Sequence, residues 1–153
     1  MKTGEEFVHY AIEVGAIEFI PRGRRLKSGR ISPYFFNSGF FSSGHKLYDV
    51  GRLYADTILG MGSVEVIFGP AYKGIPLSVA TAIVFWSDYN IDLGSAYNRK
   101  EVKDHAEGGI VVGDSMTGKK VIIVDEALTT HGSLADSVGI VGASGGNPVG
   151  CVI

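Results

Sequence analysis

The chain has 153 residues, 45% of them hydrophobic, with 14 basic and 16 acidic side chains and a formal net charge of −2. This length fits one domain with a core of its own, and the charge balance leaves no electrostatic footprint for nucleic acid or an acidic membrane. A single cysteine, Cys151, excludes an internal disulfide and a cysteine-built metal site, and it reads as a buried core thiol in the last strand.

Thr3 followed by Glu6 fits a capping box, and Phe7, Ala11 and Val14 then share one face, so residues 4–15 read as a helix. Ile17 to Ile20 is a short apolar run that Pro21 should stop. In the stretch from Leu26 to Gly39, Ser28-Gly29 supplies a turn between two short strands, which predicts a hairpin. Lys27 and Arg30 read there as solvated turn charges. Phe35 and Phe36 are adjacent and must point to opposite faces of a strand. Either two layers bury both rings, or one ring is left to stack on a flat ligand. His45 to Met61 reads as a helix with Leu47, Val50, Tyr54 and Ile58 in register, stopped by Gly60 and Gly62.

Val64 to Phe68 reads as a strand, followed by the tight loop Gly69-Pro-Ala-Tyr-Lys-Gly-Ile-Pro76 and an apolar helix over 75–87. Lys73 amid these glycines is either an anion contact or a plain turn charge. Ile91 to Tyr97 is a further strand. From Asn98 to Gly109 the cations Arg99, Lys100 and Lys103 alternate with Glu101 and Asp104, so an exposed, mobile loop is expected. A stretch of that length without a core pattern is uncommon in a compact domain unless it has a function.

Val121 to Val124 is an apolar, β-branched run typical of a buried parallel strand. Asp125 and Glu126 stand at its end, followed by Thr129, Thr130, His131, Gly132 and Ser133. Small hydroxyl residues at a helix start can surround a phosphate with N–H groups. The two carboxylates would repel that phosphate directly. They suit sugar hydroxyls, or a metal held through water, so the stretch points to a phosphorylated sugar. An ordinary strand and polar turn is the plainer alternative. Leu134, Val138 and Val141 then suggest a helix that Gly139, Gly142, Gly145 and Gly146 interrupt, and Val149 to Ile153 suggests a last strand. The alternation predicts an α/β domain with a mainly parallel central sheet flanked by helices. Residues 1–40 should form a helix and hairpin hood over the strand ends, and residues 41–153 the core.

The stretch from Val121 to Ser133 resembles the phosphoribosyl pyrophosphate (PRPP) motif of type I phosphoribosyltransferases. Leu26 to Asn37, Phe68 to Pro76 and Asn98 to Gly109 narrow the resemblance to the orotate phosphoribosyltransferase family, from about Phe7 to Ile153. That resemblance implies transfer of ribose 5-phosphate from PRPP to N1 of orotate, giving orotidine 5′-monophosphate and pyrophosphate in pyrimidine biosynthesis. It implies that Lys27 reaches PRPP, that Phe35 and Phe36 border the orotate ring, and that Tyr72 and Lys73 line the pyrophosphate side near a non-proline cis peptide at Ala71-Tyr72. Arg99, Lys100, Lys103 and His105 would close over pyrophosphate, with Lys100 and its neighbours acting across a homodimer interface. Asp125 and Glu126 would bind the ribose hydroxyls. Thr129, Thr130, His131, Gly132 and Ser133 would form the 5′-phosphate loop, with Thr129 also near orotate. Mg²⁺ would arrive on PRPP, without a direct set of protein ligands.

Three features depart from the family pattern: Glu126 where the second acid is usually Asp, His131 where glycine is usual, and the absence of the family's C-terminal part after Ile153. They raise the expectation of impaired turnover. The competing reading is a non-catalytic module that binds PRPP or a nucleotide on the same fold. No serine has a convincing triad partner, and His9, His45, His105 and His131 lack metal-ligand spacing. The start of the chain lacks a signal-peptide core, and no apolar run approaches the ~20 residues of a membrane span. The expected location is the cytoplasm, without a membrane or nucleic-acid partner.

Overall fold

In the computed structural model the described residues are 4–26, 29–103, 109–127 and 131–153, with the side chains of 101–103 and 131–133 outside that description. The chain runs α1 (Gly4–Glu13), β1 (Ile17–Arg25), β2 (Ile31–Phe36), a short 3₁₀ turn (Ser38–Phe40), α2 (Gly44–Leu59), β3 (Val66–Gly69), α3 (Gly74–Tyr89), β4 (Gly94–Lys103), β5 (Gly109–Gly113), β6 (Lys120–Val124), α4 (His131–Ala143) and β7 (Asn147–Val152).

Five strands form the main sheet in the order β5-β4-β3-β6-β7. The pairs β3–β4, β3–β6 and β6–β7 are parallel, and β4–β5 is antiparallel. Strands β3 and β6 are apolar throughout their buried length because both of their faces are covered. Their side chains alternate between two cores. Ile67, Ile122 and Val124 join Val50, Tyr54, Ile58, Leu77 and Val84 of α2 and α3 on one face. Val66, Phe68, Val121 and Ile123 join Met116 and Val141 on the face that α4 covers. The chain leaves β3 toward β4 on one side and returns as β6 on the other. This reversal opens a crevice beyond the carboxyl ends of β3 and β6, where open α/β sheets bind ligands.

The two-stranded β1–β2 sheet stands apart from the main one, as expected of a hood. Its turn is closed by Gly29 N–H donating to the Leu26 carbonyl at 2.9 Å, with Gly29 at φ +84°. Pro21 does not stop β1. The strand runs through it, and the β1–β2 register is broken between Phe19 and Arg24, an irregularity where proline's missing N–H is tolerated. Phe36 enters the first core against Phe7 and Phe41, with ring centroids 6.3 Å apart in both pairs. Phe35, on the opposite face of β2, lies under the Arg24 guanidinium at 4.1 Å.

The sequence reading of a loop is corrected for Asn98–Lys103 and for Gly109, and residues 104–108 of that stretch lie outside the described residues. β4 continues to Lys103 and pairs with β5, a strand that reading omitted. Arg99, Lys100, Glu101 and Lys103 sit on a two-stranded arm with a register break between Asn98 and Lys103, so no apolar periodicity marks it. The helix after the acidic pair forms in full as α4. Its glycines do not break it because Leu134, Ser137 and Val141 carry the packing, and a Cβ at Gly139 or Gly142 would meet open space. Val138, expected on the packed face, is 41% exposed. Cys151 in β7 is half-buried rather than fully enclosed, and burial pushes its thiol pKa up. Among the described residues no helix is long and apolar enough to cross a membrane.

Candidate active site

Glycine geometry shapes the floor of the crevice. The loop after β3 turns so tightly that a Cβ on Gly69 would lie 2.1 Å from the Gly74 carbonyl oxygen. A Cβ on Gly74 would lie 2.6 Å from Pro70 Cδ and 2.9 Å from the Val124 carbonyl oxygen. Only glycine lets this loop fold down onto the end of β6, and that close approach brings Lys73 beside Glu126. The Ala71-Tyr72 peptide is cis, and the Ala71 N–H donates to Asn98 Oδ1 at 2.9 Å, tying the loop to β4. Lys73 is the N-cap residue of α3, where the Gly74 N–H donates to the Pro70 carbonyl at 3.0 Å, the Ile75 N–H donates to the Tyr72 carbonyl at 3.4 Å, and Pro76 has no N–H.

At the end of β6, Asp125 and Glu126 take different environments. Asp125 is anchored through its backbone: its carbonyl accepts the Tyr54 hydroxyl at 2.8 Å, and its N–H donates to the Val152 carbonyl at 3.2 Å. Its Oδ1 accepts the Glu126 N–H at 2.8 Å. Burial raises its carboxyl above the usual range and the Glu126 charge adds to this, while the Glu126 N–H and Lys73 pull it down. Glu126 reaches outward. Lys73 Nζ donates to both of its oxygens, at 2.8 Å to Oε1 and 2.9 Å to Oε2, and the Ser38 hydroxyl donates to Oε2.

A cleft of about 750 Å³ adjoins this junction, lined in part by Ala71, Asn98, Arg99, Lys100, Asp125 and Asp136. Lys100 Nζ lies 4.5 Å above the exposed Tyr72 ring, so the arm and the loop after β3 meet across the cleft. The structure therefore gathers Tyr72, Lys73, Arg99, Lys100, Asp125 and Glu126. Phe35 and Phe36 lie in the hood as described. Lys27, His105, Thr129 and Thr130 lie outside the described residues. Lys103 ends β4, and His131, Gly132 and Ser133 open α4, with their side chains outside the description. Sequence reasoning missed Ser38, Asn98 and Tyr54 as supports. Each acts through one hydrogen bond to a residue far along the chain, which no local pattern announces.

No family model matches the chain. The orotate phosphoribosyltransferase of Nitrosococcus oceani is 49% identical over 149 residues, covering 97% of this chain and 67% of that protein. The chain belongs to the orotate phosphoribosyltransferase family. The orotate phosphoribosyltransferase of Thioalkalivibrio sulfidiphilus is 48% identical, covering 100% of this chain and 71% of its own length. A crystal structure of the Francisella tularensis orotate phosphoribosyltransferase superposes with a TM-score of 0.81 at 37% identity, over 95% of this chain and 68% of that one. Relative to these family members the chain spans about two thirds of their length. The type I fold inferred from the resemblance is thus the fold observed.

Proposed function

We propose that this chain transfers the 5-phosphoribosyl group from PRPP to orotate, yielding orotidine 5′-monophosphate and pyrophosphate. The observation that carries the reading is the junction of Lys73, Asp125 and Glu126 at the ends of β3 and β6, within a member of this family. Breaking the bond between C1 of the ribose and the diphosphate leaves positive charge on the sugar and negative charge on the leaving group. Lys73 and the arm cations Arg99 and Lys100 receive the diphosphate. Asp125 and Glu126 face the ribose, where carboxylates accept from hydroxyls and offset the sugar's developing charge. Lys27, Lys103 and His105 extend the cationic set. Thr129, Thr130, His131, Gly132 and Ser133 hold the 5′-phosphate at the start of α4, and Phe35 and Phe36 border the base. Because no covalent intermediate is needed, positioning and exclusion of water carry the catalysis.

Mg²⁺ belongs to this reading. Among the described residues no group of three or more His, Cys, Asp or Glu side chains is placed to hold a metal. The pair Asp125 and Glu126 fits an ion that brings most of its ligands with the diphosphate, whose charge it neutralises. A homodimer is also part of the reading. Val79, Ile83 and Trp86 form an apolar stripe along α3, at 40, 59 and 59% exposure, suited to a second copy. The protein acts in the cytoplasm, with residues 1–40 as the hood of its catalytic domain.

The test is product analysis after incubation with PRPP, Mg²⁺ and a panel of bases. Orotidine 5′-monophosphate and pyrophosphate formed in equal amounts from orotate alone support the reading. Product from a purine instead, or from no base, overturns it.

A further inference from the structure

We propose that Glu126 is an internal counter-ion that occupies Lys73 until diphosphate displaces it, and that Ser38 of the hood is the positioning residue that fixes this carboxylate. The proposal rests on the functional reading above and adds to it a competition built into this chain.

The geometry is that of a clasp. Lys73 Nζ commits donors to both oxygens of Glu126, at 2.8 and 2.9 Å. Those donors are the ones that an incoming diphosphate needs. Oε2 of Glu126 also accepts the Ser38 hydroxyl, from the 3₁₀ turn that follows the hood hairpin. That turn is set by Asn37, whose side chain accepts the Gly39 N–H at 3.0 Å. Three separate parts of the chain therefore meet on one carboxylate: the hood, the loop after β3 and the end of β6. Asp125 does not compete for this place. Its Oδ1 is engaged by the Glu126 N–H, and its shorter side chain stays half-buried at the strand end. The reach of the glutamate, one methylene longer than an aspartate, lets the second acid close on Lys73 and Ser38 together.

The exchange follows from donor arithmetic. An ammonium has three protons, and the pair with Glu126 holds Nζ within 2.8 Å of Oε1 and 2.9 Å of Oε2. Diphosphate offers a denser charge, draws Nζ away and releases Glu126 from both Lys73 and Ser38, free to turn to the ribose hydroxyls. Binding of the anion is weakened by the cost of opening the clasp, since an equilibrium shifts only by the difference between states. Ser38 holds the closed form, so its removal also eases opening while leaving every charge in place.

Calorimetric titration with inorganic pyrophosphate at fixed ionic strength tests the proposal without recourse to turnover. The proteins are the parent chain, Glu126→Gln, Ser38→Ala, Lys73→Met and the Lys73→Met/Glu126→Gln double variant. Glu126→Gln should bind pyrophosphate about tenfold more tightly than the parent, the scale of one charge-assisted contact relieved. Ser38→Ala should bind about threefold more tightly on the same scale. Lys73→Met and the double variant should bind equally, because the carboxylate acts through Lys73. Unchanged or weaker binding by Glu126→Gln and Ser38→Ala overturns the clasp. So does a tenfold gain that persists in the Lys73→Met background, which would mark a general field effect of the carboxylate. Absence of pyrophosphate binding by all five proteins overturns the functional reading, and the clasp with it.

Discussion

The tight approach of the loop after β3 to the start of α3 predicts the effect of a single methyl group. In Gly69→Ala the new Cβ would sit 2.1 Å from the Gly74 carbonyl oxygen, 2.5 Å from its carbonyl carbon and 2.7 Å from Ser78 Oγ. Ordinary contact lies at 3.4–4 Å, so backbone must move by more than an ångström. Gly74 has little room to retreat, with Pro70 and the Val124 carbonyl already against it. Overpacking of this kind costs about 1–3 kcal/mol. For a chain of this size that lowers the melting temperature by roughly 2–12 °C. The same shift displaces Lys73, and a misplacement of about 1 Å at a reacting group costs on the order of 10²-fold in rate. The comparison variant is Gly142→Ala, where a Cβ meets open space within a helix and away from the cleft. It should gain about 1 kcal/mol from helix propensity and keep full turnover. Thermal melts and kcat/KM for both variants decide the matter. A Gly69→Ala protein that melts with the parent and turns over normally would refute the argument from close approach.

Lys73→Met separates binding from folding. The Lys73 side chain is 51% exposed and that of Glu126 21%, so their pair should contribute no more than about 1 kcal/mol to stability. The melting temperature should fall by less than about 4 °C, while kcat/KM falls by about 10²–10³ as a charge on the leaving group is lost. Asp125→Asn should show the opposite trade. Burial holds the Asp125 carboxyl above its unfolded pKa, so the group favours folding below about pH 3.9 and this contribution is lost as pH rises through the folded value. The variant should therefore melt above the parent near neutral pH, with the gap closing in acid, and should lose activity. Ile83→Glu places a charge in the exposed apolar stripe of α3 and should leave a folded monomer by sedimentation.

The parts of the fold that were legible in the sequence are those whose burial leaves a local pattern. Val121 to Val124 and the two acids after it show their place because both faces of β6 are covered and the ligand end follows at once. Val64 to Phe68 and the apolar run over 75–87 showed the second strand–loop–helix unit for the same reason. The β4–β5 arm was illegible. Arg99, Lys100 and Glu101 are three consecutive charged residues on a ribbon largely off the core, and nothing apolar repeats. α4 looked weak because Gly139 and Gly142 lower its propensity, yet tertiary packing through Val141 outweighs them. Ser38 was invisible, since its importance lies in reaching a carboxylate 88 residues away.

The measurement closest to the central claim is the loss of orotate absorbance in the presence of PRPP and Mg²⁺, run on the parent chain and on Lys100→Ala. Lys100 stands over Tyr72 at the mouth of the cleft, off the hydrophobic core, so its truncation should leave the fold intact. The account predicts PRPP-dependent loss of orotate by the parent and at least about a hundredfold slower loss by the variant. No PRPP-dependent loss by a folded parent chain, or equal rates from the two proteins, would contradict it.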